Sequence, residues 1–249
     1  MSEEPRAGAT GPIFREIKTL PPERAYEYRS LSGLTYATVA LVGVNGLALG
    51  AQFVGIAARW GLLLQMQNRA FASRELMVAA AHNSDDFVRG AAMLTLVTLL
   101  AAYVVGSFWI YNAACNIRAL GARGLQISPG WAVGWFAVPL ASLVMPFQGV
   151  EEIYQASGSP VGWQRLRTPV LLRGWWGAWL LGGVGGSLIS ILGRALTTLP
   201  ELITANQLLL LDVTVRLGAS ALFVIIVWRV YRAQAHSRSY VQQTAQVFA

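Results

Sequence analysis

Four stretches of the chain carry no Lys, Arg, Asp or Glu: residues 30–58, 90–117, 124–150 and 174–193. Each holds at least 20 residues, and about 20 helical residues at ~1.5 Å rise cover the roughly 30 Å hydrocarbon core of a bilayer. A further apolar run at about 208–231 is interrupted only by Asp212, Arg216 and Arg229. The pattern predicts an all-α, polytopic helical membrane protein, with spans near 34–56, 90–111, 171–192 and 208–231. Two stretches between them are too polar to cross and suit amphipathic helices lying in the interface. One is 57–87, where Trp60, Met66, Phe71 and Leu76 alternate with Arg59, Arg69, Arg74 and Glu75; the other is 194–207, broken by Pro200. Gly121 and Gly124 read as helix stops, Ser128-Pro129 as a start, and 157–169 as a polar connector.

The run 124–150 is different because Pro139 and Pro146 break it. Each proline removes a backbone donor and disfavours helix in the residue before it, so these two are candidate hairpin breakers with a turn near 140–145. A kinked full span is the competing reading, since prolines are tolerated there. Cytoplasmic loops carry excess Lys and Arg. Full crossing gives five spans, with nine basic residues inside and ten outside. Entry and exit on one side gives four spans, with 13 inside and six outside. The charge distribution favours four full spans plus a proline-broken re-entrant segment at 131–150. A bend at membrane depth needs protein cover, and the small-residue face described next is a candidate for it.

Gly174, Ala178, Gly182, Gly186 and Ser190 recur at a spacing of four, which puts five small residues on one helix face and permits close backbone approach. That face is expected to serve helix packing, including contact with a membrane-protein partner or a second copy. Asn112 and Asn116 lie four apart near the end of the second span, and Glu151 and Glu152 end the broken run. With Arg118 they form a candidate inner polar cluster. It either binds a head group, ion or partner, or simply locks the hairpin against the second span, and the need to satisfy buried polar groups favours the lock. Asp212 and Arg216, also four apart, form a candidate ion pair along one helix. Asn45 and Gln52 are expected to bond neighbouring helices.

Composition agrees with the pattern. Hydrophobic residues make up 55% and charged residues 12%, about half the usual charge of a soluble domain. The net charge of +7, set between apolar runs, points to membrane lipids with anionic head groups as the counter-charge, and not to nucleic acid. Residues 1–29 form a polar, Pro-rich segment expected on the cytoplasmic side. No short apolar core with a small-residue cleavage site follows it, so the first span is expected to remain as an anchor. A single helical membrane domain covers 30–232, and 233–249 is a polar tail.

Enzyme chemistry is sparse. Cys115 is the single cysteine, so no disulfide forms within the chain, and His82 and His236 lie outside the expected spans. Haem, zinc and di-iron sites lack their ligand sets, so no cofactor or metal is expected. "GGVGGS" at 182–187 lies mid-span without a following Lys-Ser/Thr and is not a phosphate loop.

The stretch "WIYNAACNIRALGARGLQISPGWAVGWFAVPLASLVMPFQGVEEIYQAS" (109–157) resembles the bacterial integral membrane proteins grouped as domain of unknown function 4328. Trp109, Asn116, Leu120, Ser128-Pro129-Gly130, Trp131, Trp135, Pro139, Pro146 and Glu152 carry the resemblance, which extends more weakly through "WWGAW" at 175–179 to the tail after Trp228. Ser142 stands where the family has asparagine. The resemblance implies a helical fold in the bacterial cytoplasmic (inner) membrane and assigns no activity. The expected role is a non-catalytic structural or accessory subunit packing against a larger membrane complex. The alternatives are a small channel or transporter built around 131–150, and, third, a lipid-acting membrane enzyme.

Overall fold

The structure, a computed structural model, describes residues 26–247, without the side chains of Ser190, Arg194 and residues 240–247. Most of the expected polar segment 1–29, the Ser190 member of the small-residue face and the end of the tail lie outside the described residues. Within them the chain is helical with no strand. Three helices are long and apolar enough to cross a membrane: α1 (Ser32–Gln67), α2 (Arg74–Ala119), and Leu199–Ser239 within α7 (Leu199–Val247). Between α2 and α7 come the short helices α3 (Pro129–Gly134), α4 (Met145–Gly158), α5 (Val170–Leu180) and α6 (Gly186–Leu192). A single π turn, Leu181–Gly185, joins α5 to α6 into one rod.

Local chemistry sets the boundaries. Ser73 and Ser128 cap α2 and α3 by accepting from the amides of Leu76 and Trp131, and Pro129 occupies the first turn of α3, where its missing N–H costs nothing. Gly121, at φ +89°, ends α2. Its amide bonds the Arg118 carbonyl and that of Ala122 bonds Ile117, the double closure that a left-handed glycine allows. Glu201 supplies the carboxylate half of a capping box at the start of α7, accepting from the amides of Thr197 and Thr198.

The stretches expected to lie flat in the interface do something else. Residues 57–67 continue α1 and 74–87 begin α2, so 57–87 is the tip of a long helical hairpin, closed by an Arg59–Asp85 ion pair. The two arms touch at its base, where Phe87 packs over Gly55 and a Cβ would sit 2.7 Å from the ring. Pro200 likewise opens α7 in place of breaking an interfacial helix.

Buried polar contacts define how the rods run. The Trp109 indole N–H donates to Thr35, and Asn45 donates to the Thr95 carbonyl and the Thr98 hydroxyl. α1 and α2 are therefore antiparallel. Asn206 donates to the Ile56 carbonyl, and Tyr36 packs on Trp228, so α7 runs back along α1. Gly182 faces Arg216 and Gly174 faces Leu222, which makes the α5–α6 rod antiparallel to α7.

The proline-broken run leaves one end of this bundle and returns to it. The amides of Gln126 and Ile127, just before α3, donate to the two carboxylate oxygens of Glu152 in the middle of α4 at 3.1 and 3.3 Å. The Trp163 indole reaches the Arg123 carbonyl. Between these points the chain turns through two 3-10 turns, Trp135–Ala137 and Ala141–Leu143, with Leu140 at φ +63°. The tip meets its own hydrogen-bonding needs. Amides of Ala141, Ser142, Leu143 and Val144 bond carbonyls within the turn, and the Trp176 indole N–H donates to the Leu143 carbonyl. Such closure is what bent backbone requires where water is scarce.

The cover for this hairpin is aromatic. Phe136 packs edge-on against Tyr103 of α2 and Trp179 of α5, and Phe147 lies by Trp176. The glycine face of 174–186 was the expected cover, but it turns the other way and meets α7. Tryptophans on the remaining face of α5 supply apolar area that glycines lack.

Candidate functional site

Two places gather polar side chains inside the apolar bundle. The first is the end where Arg29 enters α1. Asn116 is fully buried there. Its Oδ1 accepts from the Arg29 amide at 2.9 Å, while its Nδ2 donates to the Arg29 carbonyl at 2.8 Å and to Gln234 Oε1 at 3.0 Å. Gln234, also fully buried, donates to the Ala113 carbonyl and the Ser157 hydroxyl. One network therefore ties the start of α1, the end of α2, the end of α4 and the last third of α7.

The other predicted cluster members sit nearby but split into separate contacts. Arg118 donates to the Ile127 carbonyl at 2.6 Å, while Glu152 accepts from the Ile127 amide. The two residues clamp the successive peptide groups on either side of Ile127 without forming a direct ion pair. Burial pushes the Glu152 carboxyl above the usual range, against the pull of the Gln126 and Ile127 amides and of Arg118. Glu151 points elsewhere, accepting from Thr168 and Gln155. Asn112 bonds only its own helix, at the Phe108 carbonyl. Tyr26 and Tyr28 lie under the guanidinium groups of Arg118 and Arg238. Sequence reading missed Gln234, Ser157 and the Arg29 backbone as partners of Asn116. Nothing in periodicity links residues 118 positions apart, although glutamine just past an apolar run is a polar signal of the same kind as Asn116.

The second place is a cavity of about 360 Å³ between α1, α2, the α5–α6 rod and α7. It exists because α5 and α6 pack on α7 and stand off from α2. Aromatic rings close one end (Phe136, Trp175, Trp179), and Asn45, Thr95 and Arg216 border the other. Arg216 Nε donates to the Gly182 carbonyl at 3.0 Å and lies 2.9 Å from Asp212 Oδ2. The π turn begins one residue before Gly182; irregular turns of this kind recur at functional sites. The glycines make the approach possible. A Cβ on Gly182 would come 2.7 Å from Arg216 Cγ, and one on Gly186 would land on the guanidinium and 2.7 Å from the Asp212 carboxylate. The described ladder residues Gly174, Gly182 and Gly186 thus face α7 of the same chain, and Ala178 lines the cavity.

No group of three or more metal-binding side chains occurs among the described residues. No curated protein and no solved structure matches the chain. One family model does match, described as Domain of unknown function (DUF4328), over residues 72–233. That span holds α2, the proline hairpin, the α5–α6 rod and most of the apolar part of α7, and with them Asn116, Arg118, Glu152, Asp212 and Arg216, while Arg29, Asn45 and Gln234 lie outside it. The chain belongs to this family.

Proposed function

We propose that the chain is a non-catalytic accessory subunit of a larger complex in a bacterial inner membrane. It crosses four times, with 131–150 as a re-entrant hairpin and both ends in the cytoplasm. One observation carries the role: the chemistry-bearing side chains that the sequence singles out hold this chain's own elements together. Asn116 holds Arg29 and Gln234, and Arg118 and Glu152 hold Ile127. Polar groups engaged this way build a rigid scaffold, and a scaffold in lipid suits packing against other membrane proteins.

The topology is supported by the shared end. Arg29, Ala113, Ser157 and Gln234 belong to one hydrogen-bonded network, which supports an even number of crossings between Arg29 and Gln234. Nearby lie Arg118, Arg123, Arg165, Arg167, Arg229 and Arg232, the excess expected of a cytoplasmic face. A membrane-impermeant thiol reagent tests this on cysteines placed singly at Gln126, Gly158 and His236 in a Cys115→Ala background. All three are expected to react from the cytoplasmic side; reaction of position 158 or 236 only from outside overturns the topology. The role is tested by extracting the tagged chain at native expression level in a mild detergent. A stoichiometric membrane-protein partner that survives washing is expected, whereas a lone chain after chemical cross-linking in intact membranes refutes it.

A further inference from the structure

Arg216 is a cation with donors to spare. Its Nε is engaged by Gly182 and Asp212, yet no described residue accepts from Nη1 or Nη2. Nη2 lies against Gly186 beside the Asp212 carboxylate, but the residue borders the cavity and its side chain keeps 33% of its exposure, so part of the guanidinium is open to that space. It lies eight residues into the apolar run 208–231, about 12 Å along the helix axis. A guanidinium edge at such depth calls for an anion or a polar partner.

The rest of the cavity says what that partner is made of. Its mouth has Leu99 and Tyr103 of α2 on one side and Gly183 and Ser187 on the other, all exposed. On the proposed topology this opening faces lipid. Away from Arg216 the walls are hydrocarbon and aromatic, ending at Phe136, Trp175 and Trp179. On α2 the lining runs from Thr95 to Ile110, about 22 Å of helix. A long slot with one cation at its end fits a hydrocarbon chain with a small acidic head.

We infer that this cavity binds a single-chain amphiphilic carboxylic acid, a long-chain fatty acid, entering between α2 and α6. Its carboxylate takes the Nη edge of Arg216 and its tail lies against Trp175 and Trp179. The planar guanidinium fork matches two carboxylate oxygens. A phospholipid carries a glycerol backbone and a second chain, which a space of about 360 Å³, near the lower end for ligand sites, does not take.

The test uses the full chain in detergent micelles with dibrominated stearic acid, whose bromines quench nearby tryptophans. Saturable quenching is expected, with the methyl ester of the same acid at least about tenfold weaker because it lacks the charge. Arg216→Gln is expected to weaken the acid by a similar factor and to leave the ester unchanged. Arg216→Gln combined with Asp212→Asn repeats the measurement without a lone buried carboxylate. Gly183→Leu controls for folding, since a Cβ there meets nothing within 4 Å; it is expected to fill the cavity and abolish quenching by both compounds. Equal binding of acid and ester, indifference to Gly183→Leu, or equal quenching by brominated phosphatidylglycerol overturns the assignment.

Discussion

Asn116→Leu is expected to destabilise the chain by about 3 kcal/mol, measured as a shift in its denaturant-induced unfolding in micelles. The substitution preserves apolar volume but removes three bonds at once. It strands the amide and carbonyl of Arg29 and Oε1 of Gln234 in a site where Asn116 and Gln234 are fully buried. Each buried polar group left unsatisfied costs about 1–3 kcal/mol. The low end applies, because Arg29 sits at the edge of the bundle and can be rewetted. The damage should also be directional: the segment before α1 and the α7 extension loosen together, so amide exchange rises at 26–31 and 232–238 while exchange in the 57–87 hairpin tip is unchanged. A loss below about 1 kcal/mol, or exchange rising evenly along the chain, contradicts the lock.

Gly182→Val is the other large effect, expected at about 3–5 kcal/mol. Its Cβ would stand 2.7 Å from Arg216 Cγ, an atom close to the α7 backbone with little room to give. Overpacking alone costs about 1–3 kcal/mol. Pushing the rods apart also withdraws the Gly182 carbonyl from Arg216 and loosens the ion pair with Asp212, and breaking a buried pair is worth about 3–5 kcal/mol where both charges are enclosed. Arg216 is only partly enclosed, so the terms do not add in full. The neighbouring Gly183→Val provides the contrast, with nothing near its Cβ, and should cost under about 1 kcal/mol. The same unfolding measurement, run on both, decides it; equal losses at 182 and 183 contradict close packing at this face.

Much of this architecture is readable from residues alone. Charge-free runs mark the apolar helices because hydrocarbon excludes charge. Gly121 and Ser128 mark a helix end and a helix start through backbone requirements that are strictly local. Pro139 and Pro146 mark the bend for the same reason. The misplaced parts involve a choice of partner. An amphipathic pattern at 57–87 says that one side is covered, not whether lipid or another helix covers it. The glycine ladder says that something approaches closely, and the partner proved to be α7, not the hairpin. Pro200 was readable as a first-turn proline, since Thr198 and Glu201 frame it as a capping box. The Asn116 network was beyond reach, because Arg29 joins it through backbone and Gln234 from far along the chain.

Gln234 imposes an order of events on biosynthesis. A ribosome reaches it 77 residues after Ser157 and 118 after Asn116, when the earlier rods already stand in the membrane. Until then the α4 end and the segment before α1 have no common clasp. The fold is fastened by one of its last-made turns, so a chain that stops short of that turn reveals itself as unfinished.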